Sequence, residues 1–151
     1  MKLSVIIPVF NEESTIDEII SRVHNLQLEG IEHKEIIIVD DGSTDGTRGV
    51  LEQYREKSGI IVFLQSNNKG KGAAVRKGFE LATGDIWLVQ DSDLEYNPRD
   101  YPKLLAPILE NNADVVYGSR FVGGGANRVL FYWHSWGNKV LTTLSNMFTN
   151  L

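Results

Sequence analysis

Short runs of consecutive apolar residues alternate along this chain with stretches in which apolar residues return every three or four positions. Leu3 to Val9 is the first run, and it reads as a strand buried on both faces. Thr15-Ile16-Asp17-Glu18 then has capping-box spacing, and Ile16, Ile19, Ile20, Val23 and Leu26 recur with helical period. Glu35 to Val39 predicts a second buried strand, followed by a polar turn from Asp40 to Gly46 and a helix over 47–57. Ile60 to Gln65 predicts a third strand. A Gly/Lys turn leads from it into a helix over 73–82, with Gly84 placed to end it. Ile86 to Gln90 is the fourth predicted strand. Asp100 can cap a helix carrying Leu104, Leu105, Ile108 and Leu109, and Val115 to Tyr117 is the fifth strand.

Alternation of this kind implies an α/β fold: a mostly parallel, twisted sheet with helices on both faces. Ligands of such sheets bind beyond the carboxyl ends of the strands, so the residues after Val9, Val39, Gln65, Gln90 and Tyr117 are the ones to inspect. Residues 1–122 form the expected ligand-binding core. Gly123-Gly124-Gly125 breaks the pattern, and 123–151 forms a second part in which Val129 to Phe148 is rich in aromatics and leucine, with Lys139 its only formally charged residue. Phe131, Tyr132, Trp133 and Trp136, with Leu141, Leu144 and Phe148 at helical spacing, suggest an amphipathic helix at a membrane interface; packing onto the domain is the competing expectation.

Composition narrows the classes. A length of 151 residues with 42% hydrophobic and 23% charged residues fits one ordinary globular domain. No apolar run approaches the roughly 20 residues that span a bilayer, and the first residues lack the features of a secretory signal. The absence of cysteine excludes disulfides and thiolate metal sites, in keeping with a cytoplasmic location. A formal charge of -5 argues against a nucleic-acid partner.

Each predicted strand end carries a polar cluster. Pro8-Val9-Phe10-Asn11-Glu12 ends the first strand and offers acceptors for a base or ribose. Asp40-Asp41 places two carboxylates side by side, which repel unless a cation or a donor-rich ligand meets them. The same segment matches the offsets of a calcium loop, but it follows a strand, and Arg48 stands where that loop needs an apolar residue. Asn67-Asn68-Lys69-Gly70-Lys71-Gly72 has glycines that admit a phosphate and lysines that attract it, without the spacing of a Walker loop. Asp91-Ser92-Asp93 puts two carboxylates on one side of an extended segment, as a hard divalent cation requires. Gly118-Ser119-Arg120 supplies a guanidinium suited to phosphate. An acidic turn, a solvated basic turn and a surface ion pair explain these clusters singly. Together, at one sheet edge, they fit a sugar nucleotide. His24 and His33 have no assigned role, and packing among Trp133 and Trp136 is the simpler fate of His134.

Five segments in order, Val5 to Glu13, Val39 to Ser43, Asn68 to Ala73, Asp91 to Glu95 and Gly118 to Phe121, resemble the family 2 glycosyltransferases of Rossmann-like GT-A fold. Within that family the chain looks most like the dolichyl- or polyprenyl-phosphate sugar synthases. The resemblance implies that Pro8, Val9, Phe10, Asn11 and Glu12, with Asp40 and Asp41, hold the nucleoside. Lys71, Gly72, Asp91 and Ser92 belong to the same nucleotide site. Asp91 and Asp93 hold Mg²⁺ or Mn²⁺ against the donor diphosphate, with Glu95 nearby. Asp93 and Arg120 carry the reaction, and Arg120, with Arg128 and His134, meets the acceptor phosphate. Trp133-His134 stands where relatives often carry two arginines.

The implied activity is transfer of a sugar, with inversion, from a nucleotide sugar of the GDP-mannose or UDP-glucose type to a lipid phosphate. It would take place at the cytoplasmic face of a membrane to which the protein binds peripherally. The metal stabilises the departing diphosphate. A phosphate monoester has its second pKa near 6, so the nucleophile needs no general base. Two rival readings stay open: transfer to a sugar hydroxyl, which needs a base, and a non-catalytic nucleotide-binding module. Family members continue well past the position of Leu151, so the expectation is an N-terminal portion that binds donor and transfers poorly.

Overall fold

The computed structural model describes residues 1–118. Contacts divide the chain into Met1–Val116 and Tyr117–Leu151, and the first unit carries every helix and strand described below. Its elements run β1 (Lys2–Val9), α1 (Ile16–Asn25), β2 (His33–Asp40), α2 (Thr47–Glu52), β3 (Ile60–Leu64), α3 (Lys71–Leu81), β4 (Ile86–Val89), a 3-10 turn (Pro98–Asp100) and α4 (Tyr101–Leu109).

The four strands form one parallel sheet in the order β3-β2-β1-β4. The chain steps outward from β1 to β3, then crosses back over β1 to form β4. Right-handed crossovers put helices from the two directions on opposite faces. Leu3, Val5, Ile7, Ile36 and Ile38 meet Ile16, Ile19, Ile20 and Val23 of α1, Leu51 of α2 and Tyr101 and Leu105 of α4 in the larger core. Ile6, Ile37 and Val39 point the other way, to Ala74 of α3. Both faces of β1 and β2 are therefore covered, which is why their sequences are continuously apolar. Gly78 lets α3 approach this closely: a Cβ there would sit 2.3 Å from Cγ2 of Ile6.

Several expected details differ. The capping box does not form. Thr15 has helical φ and ψ and makes no side-chain cap, because its hydroxyl donates instead to Glu12 Oε2 at 2.6 Å. The helix expected over 47–57 ends at Glu52. Tyr54 is drawn toward α1, its hydroxyl donating to Asp17 Oδ1 at 2.6 Å, and the chain turns from there to β3. Gly84 does not end α3, whose C-cap is Ala82. It lies against the start of β1, where a Cβ would be 2.8 Å from the Lys2 carbonyl. Asp100 makes no side-chain cap, since the 3-10 turn already occupies its position; Asn97 accepts from the Arg99 amide and starts that turn. Val115 to Tyr117 is not a strand. Val115 and Tyr117 are exposed there, and among the described residues no neighbouring strand pairs with them. No helix of the described residues is long and apolar enough to cross a membrane.

Candidate functional site

The strand order reverses between β1 and β4, so a crevice opens where their carboxyl ends part. A cleft of about 250 Å³ lies at that point. It is lined by Pro8, Val9, Phe10 and Glu12 after β1, Asp41 after β2, Asn68, Gly70, Lys71 and Ala74 of the third connection, and Asp91, Ser92 and Asp93 after β4. Four separate loops converge there, each released by the end of a parallel strand.

Asp40 and Asp41 are neighbours with different duties. Asp40 is wholly buried and faces away from the cleft. Its carboxylate accepts Arg48 Nε at 2.7 Å and the Ser43 amide at 3.2 Å. Arg48 also donates to the Gln65 carbonyl, tying β2 and β3 together beneath the loop. In this structure the partner of Asp40 is internal, the Arg48 guanidinium, which supplies a cation beside the acid pair. Asp41 faces the cleft. Its Oδ1 accepts the Lys69 amide at 2.8 Å and Gln65 Nε2 at 3.0 Å, and its Oδ2 accepts the Gly70 amide at 2.8 Å. Three donors hold the carboxylate and leave further acceptor capacity toward the cleft.

Backbone geometry fixes these loops. Gly42 has φ +79°, and a Cβ on it would lie 2.5 Å from the backbone of Asn67 and Asn68. Gly70 has φ +89° and starts α3. Gly72 needs no such freedom, as it lies in the first turn of α3 with open space around its Cα and is absent from the cleft wall. Asn11, at φ 55°, accepts the Thr44 amide at 2.8 Å, while its own amide donates to Ser43 Oγ at 2.9 Å. The first and second loops are thereby joined. Phe10 stands 43% exposed at the cleft, an apolar ring facing solvent.

After β4, Asp91, Ser92 and Asp93 all line the cleft, and Ser92 is buried there with its hydroxyl donating to the Pro8 carbonyl at 3.2 Å. The chain bends at Ser92, so the two carboxylates reach one cleft without the extended segment that the sequence predicted. Asp91 Oδ1 pairs with Lys71 Nζ at 2.6 Å, and Asp93 Oδ1 accepts the Glu95 amide at 3.0 Å. Leu94 between them takes φ 62°, an uncommon conformation for a leucine, of the kind found at binding loops. Glu95 does not line the cleft, and among the described residues no group of three His, Cys, Asp or Glu side chains converges as a metal cage. Gln90 was not singled out from sequence, yet it holds this loop. Its Nε2 donates to the carbonyls of Asp91 and Tyr96, at 2.8 and 3.2 Å, and its Oε1 accepts the Tyr101 hydroxyl at 2.8 Å. Burial pushes the Tyr101 phenol well above its ordinary pKa, keeping it a donor. Gln65 and Gln90 share a readable signal: each is the polar residue that ends an apolar strand at the ligand edge. Arg120, Arg128, His134 and the aromatic segment 131–148 lie outside the described residues, as does the 122/123 boundary.

A parallel α/β sheet with an acidic and lysine-bearing cleft at its reversal point places the chain in the doubly wound α/β class, whose ligands bind at such a crevice. Within it the chain belongs to a particular family: residues 4–149 match glycosyl transferase family 2. A dolichol-phosphate mannosyltransferase of Pyrococcus furiosus is 41% identical over 125 residues, covering 83% of this chain and 35% of that protein. An undecaprenyl-phosphate 4-deoxy-4-formamido-L-arabinose transferase of Pseudomonas savastanoi is 33% identical over 142 residues, covering 92% and 40%. Among solved structures, S. aureus TarS 1-349 superimposes with a TM-score of 0.64 at 30% identity, covering 87% of this chain and 40% of that one. Glucosyl-3-phosphoglycerate synthase of Mycobacterium tuberculosis, in complex with Mn²⁺, UDP-glucose and phosphoglyceric acid, gives 0.57 at 31% identity over 72% and 39%. The GT-A-type α/β fold is shared with these enzymes. The chain spans 35–40% of the length of the curated relatives it matches.

Proposed function

We propose that the cleft binds the nucleotide diphosphate of a sugar donor, and that the whole protein transfers the sugar with inversion to a polyprenyl or dolichyl phosphate at the cytoplasmic face of a membrane. The observation that carries the donor half is the meeting of Phe10, Asp41, the Gly/Lys turn and Asp91–Asp93 in one cleft at the reversal of strand order. The names of the curated relatives, both transferases acting with a polyprenol phosphate, support the acceptor.

Phe10 offers a face for the base, and Asp41 an acceptor for base or ribose. Asp91 and Asp93 fit a hard divalent cation: two carboxylates face one cleft, and one of them already attracts a cationic side chain. Two carboxylates are too few for a cage, so Asp91 and Asp93 would hold the cation only with further oxygens supplied by the donor. When bound, Mg²⁺ or Mn²⁺ supplies Lewis-acid stabilisation of the departing diphosphate. Lys71 adds charge beside it. Arg120, with Arg128 and His134, serves the acceptor phosphate, whose oxygen is already ionised at neutral pH. Catalysis then rests on positioning and charge.

Calorimetric titration with UDP and GDP, with and without Mn²⁺, tests the donor half. Asp93→Ala should abolish the enhancement by Mn²⁺ while leaving metal-free nucleotide affinity within about twofold. Equal enhancement in wild type and variant overturns the assignment. Transfer from a matching nucleotide sugar to a short polyprenyl phosphate, measured on the full-length protein beside a hydroxyl acceptor, tests the acceptor half.

A further inference from the structure

Lys71 and Asp91 both line the cleft, yet in this structure they satisfy each other. Lys71 Nζ lies 2.6 Å from Asp91 Oδ1, and the lysine side chain is 64% exposed against 23% for the aspartate. Asp91 is thus occupied by an ammonium at the position a divalent cation would claim. We propose that Lys71 is an exchangeable stand-in for the metal: the incoming cation displaces it from Asp91, and the freed ammonium turns to the donor diphosphate. The proposal rests on the donor-diphosphate reading and adds an order to it.

Three features make the exchange cheap. An ion pair this exposed is worth little, about 1 kcal/mol at most, and that limits its hold on Asp91 to roughly fivefold. The lysine stem has four rotatable carbons and swings without moving the backbone. Lys71 is also the first residue of α3, anchored through its backbone beside Gly70, so the ammonium pivots about a fixed point on the cleft wall. Asp93 is held differently, by the Glu95 amide in its own loop, and needs no partner to leave.

The consequence is coupling. Metal alone must expel Lys71 and leave an ammonium without its carboxylate. Diphosphate alone leaves Asp91 facing added negative charge if Lys71 turns away. Arriving together, each ligand receives the partner that the other releases, so each should raise the other's affinity by the same factor.

The test uses the full-length protein and two charge-matched variants, Lys71→Met and Lys69→Met, the second removing a neighbouring lysine of the same turn. Binding of Mn²⁺ alone is followed by electron paramagnetic resonance, and UDP, GDP and uridine by calorimetry. Lys71→Met should bind Mn²⁺ alone about threefold to fivefold more tightly. It should bind the diphosphate nucleotides more weakly in the presence of Mn²⁺, with uridine affinity unchanged. Lys69→Met should leave Mn²⁺ affinity within about 1.5-fold. Unchanged Mn²⁺ affinity in Lys71→Met, or an equal gain in Lys69→Met, overturns the exchange while the donor reading stands. Absence of any Mn²⁺-dependent nucleotide binding by wild type overturns both.

Discussion

The two ends of the sheet are built from similar groups and used in opposite ways. At the amino end, Glu35 of β2 is buried and fully engaged. Lys2 Nζ lies 2.6 Å from it, and Ser4 Oγ, Thr83 Oγ1 and the Thr83 amide donate to it. Lys34 is likewise spent: its ammonium donates to the carbonyls of Val23, His24 and Leu26 at the end of α1, and burial lowers its pKa. A hollow of about 200 Å³ beside Lys34 therefore holds a charge already committed to the fold. At the carboxyl end Asp40 is committed in the same way, to Arg48, but Asp41, Asp91 and Asp93 are held by loop amides, the Gln65 side chain or one exposed lysine, and they face the cleft. The difference lies in the partners. Side chains locked from several elements make a carboxylate structural; amides of loops and a swinging ammonium leave it available.

The largest effect should come from the backbone of the carboxyl end. Gly42→Ala forces a side chain onto φ +79° and drives its Cβ to 2.5 Å from the backbone of Asn67 and Asn68. Nothing flexible can yield there. A loss of about 3 kcal/mol or more in unfolding free energy is expected, together with loss of nucleotide binding as the second and third loops separate. Urea unfolding and calorimetry check both. A loss under about 1 kcal/mol would mean that the two loops are not tightly apposed.

The amino end should respond to pH. Burial alone would raise the Glu35 pKa, but hydrogen bonds from Lys2, Ser4 and Thr83 outweigh it and hold the carboxyl at about 2, from an ordinary 4.5. A depressed folded-state value means that the unfolded chain takes up the proton first as pH falls. The contribution is present in full above pH 4.5, and it drains away as pH drops through 4.5 toward 2. The shift corresponds to roughly 3 kcal/mol. Glu35→Gln should therefore lose about 2–3 kcal/mol at pH 7, lack the wild-type fall in this acid window, and keep nucleotide affinity within about twofold. A variant as pH-sensitive as wild type would place the titration elsewhere.

The sequence showed how much of each end could be read in advance. Continuous apolar runs placed β1 to β4; for β1 and β2 this is because strands covered on both faces have no polar side to display, whereas the edge strands β3 and β4 leave Ile61, Trp87 and Val89 exposed. That the strand-end loops gather at one crevice followed from topology; the segment from Asp91 to Asp93 is bent, and all three of its residues line the cleft. What was hidden is pairing across loops. Nothing local says that Arg48 reaches back to Asp40, or that the amides of Lys69 and Gly70 turn to Asp41, since both depend on how two connections lie on each other. Val115-Val116-Tyr117 had the composition of a strand, but a strand needs a partner, and composition names none.

The smallest effect should come from the support beneath the Asp91–Asp93 loop. Tyr101 is buried at the start of α4, and its hydroxyl donates to Gln90 Oε1 at 2.8 Å. That bond fixes the amide of Gln90 so that its nitrogen faces the carbonyls of Asp91 and Tyr96. Tyr101→Phe keeps the ring, and so keeps its packing against the larger core, but removes the donor. Gln90 Oε1 is then left buried without it, at a cost of about 1 kcal/mol. The amide also becomes free to flip, which would turn its oxygen toward the two carbonyls and loosen the loop. Nucleotide affinity without metal should not change, since Phe10 and Asp41 lie on other loops. The Mn²⁺ enhancement should fall about twofold to fivefold, because only the carboxylates after β4 are displaced. Full Mn²⁺ enhancement in a variant destabilised by the expected amount would show that Asp91 and Asp93 are placed by β4 alone, and that Gln90 supports the fold and not the site.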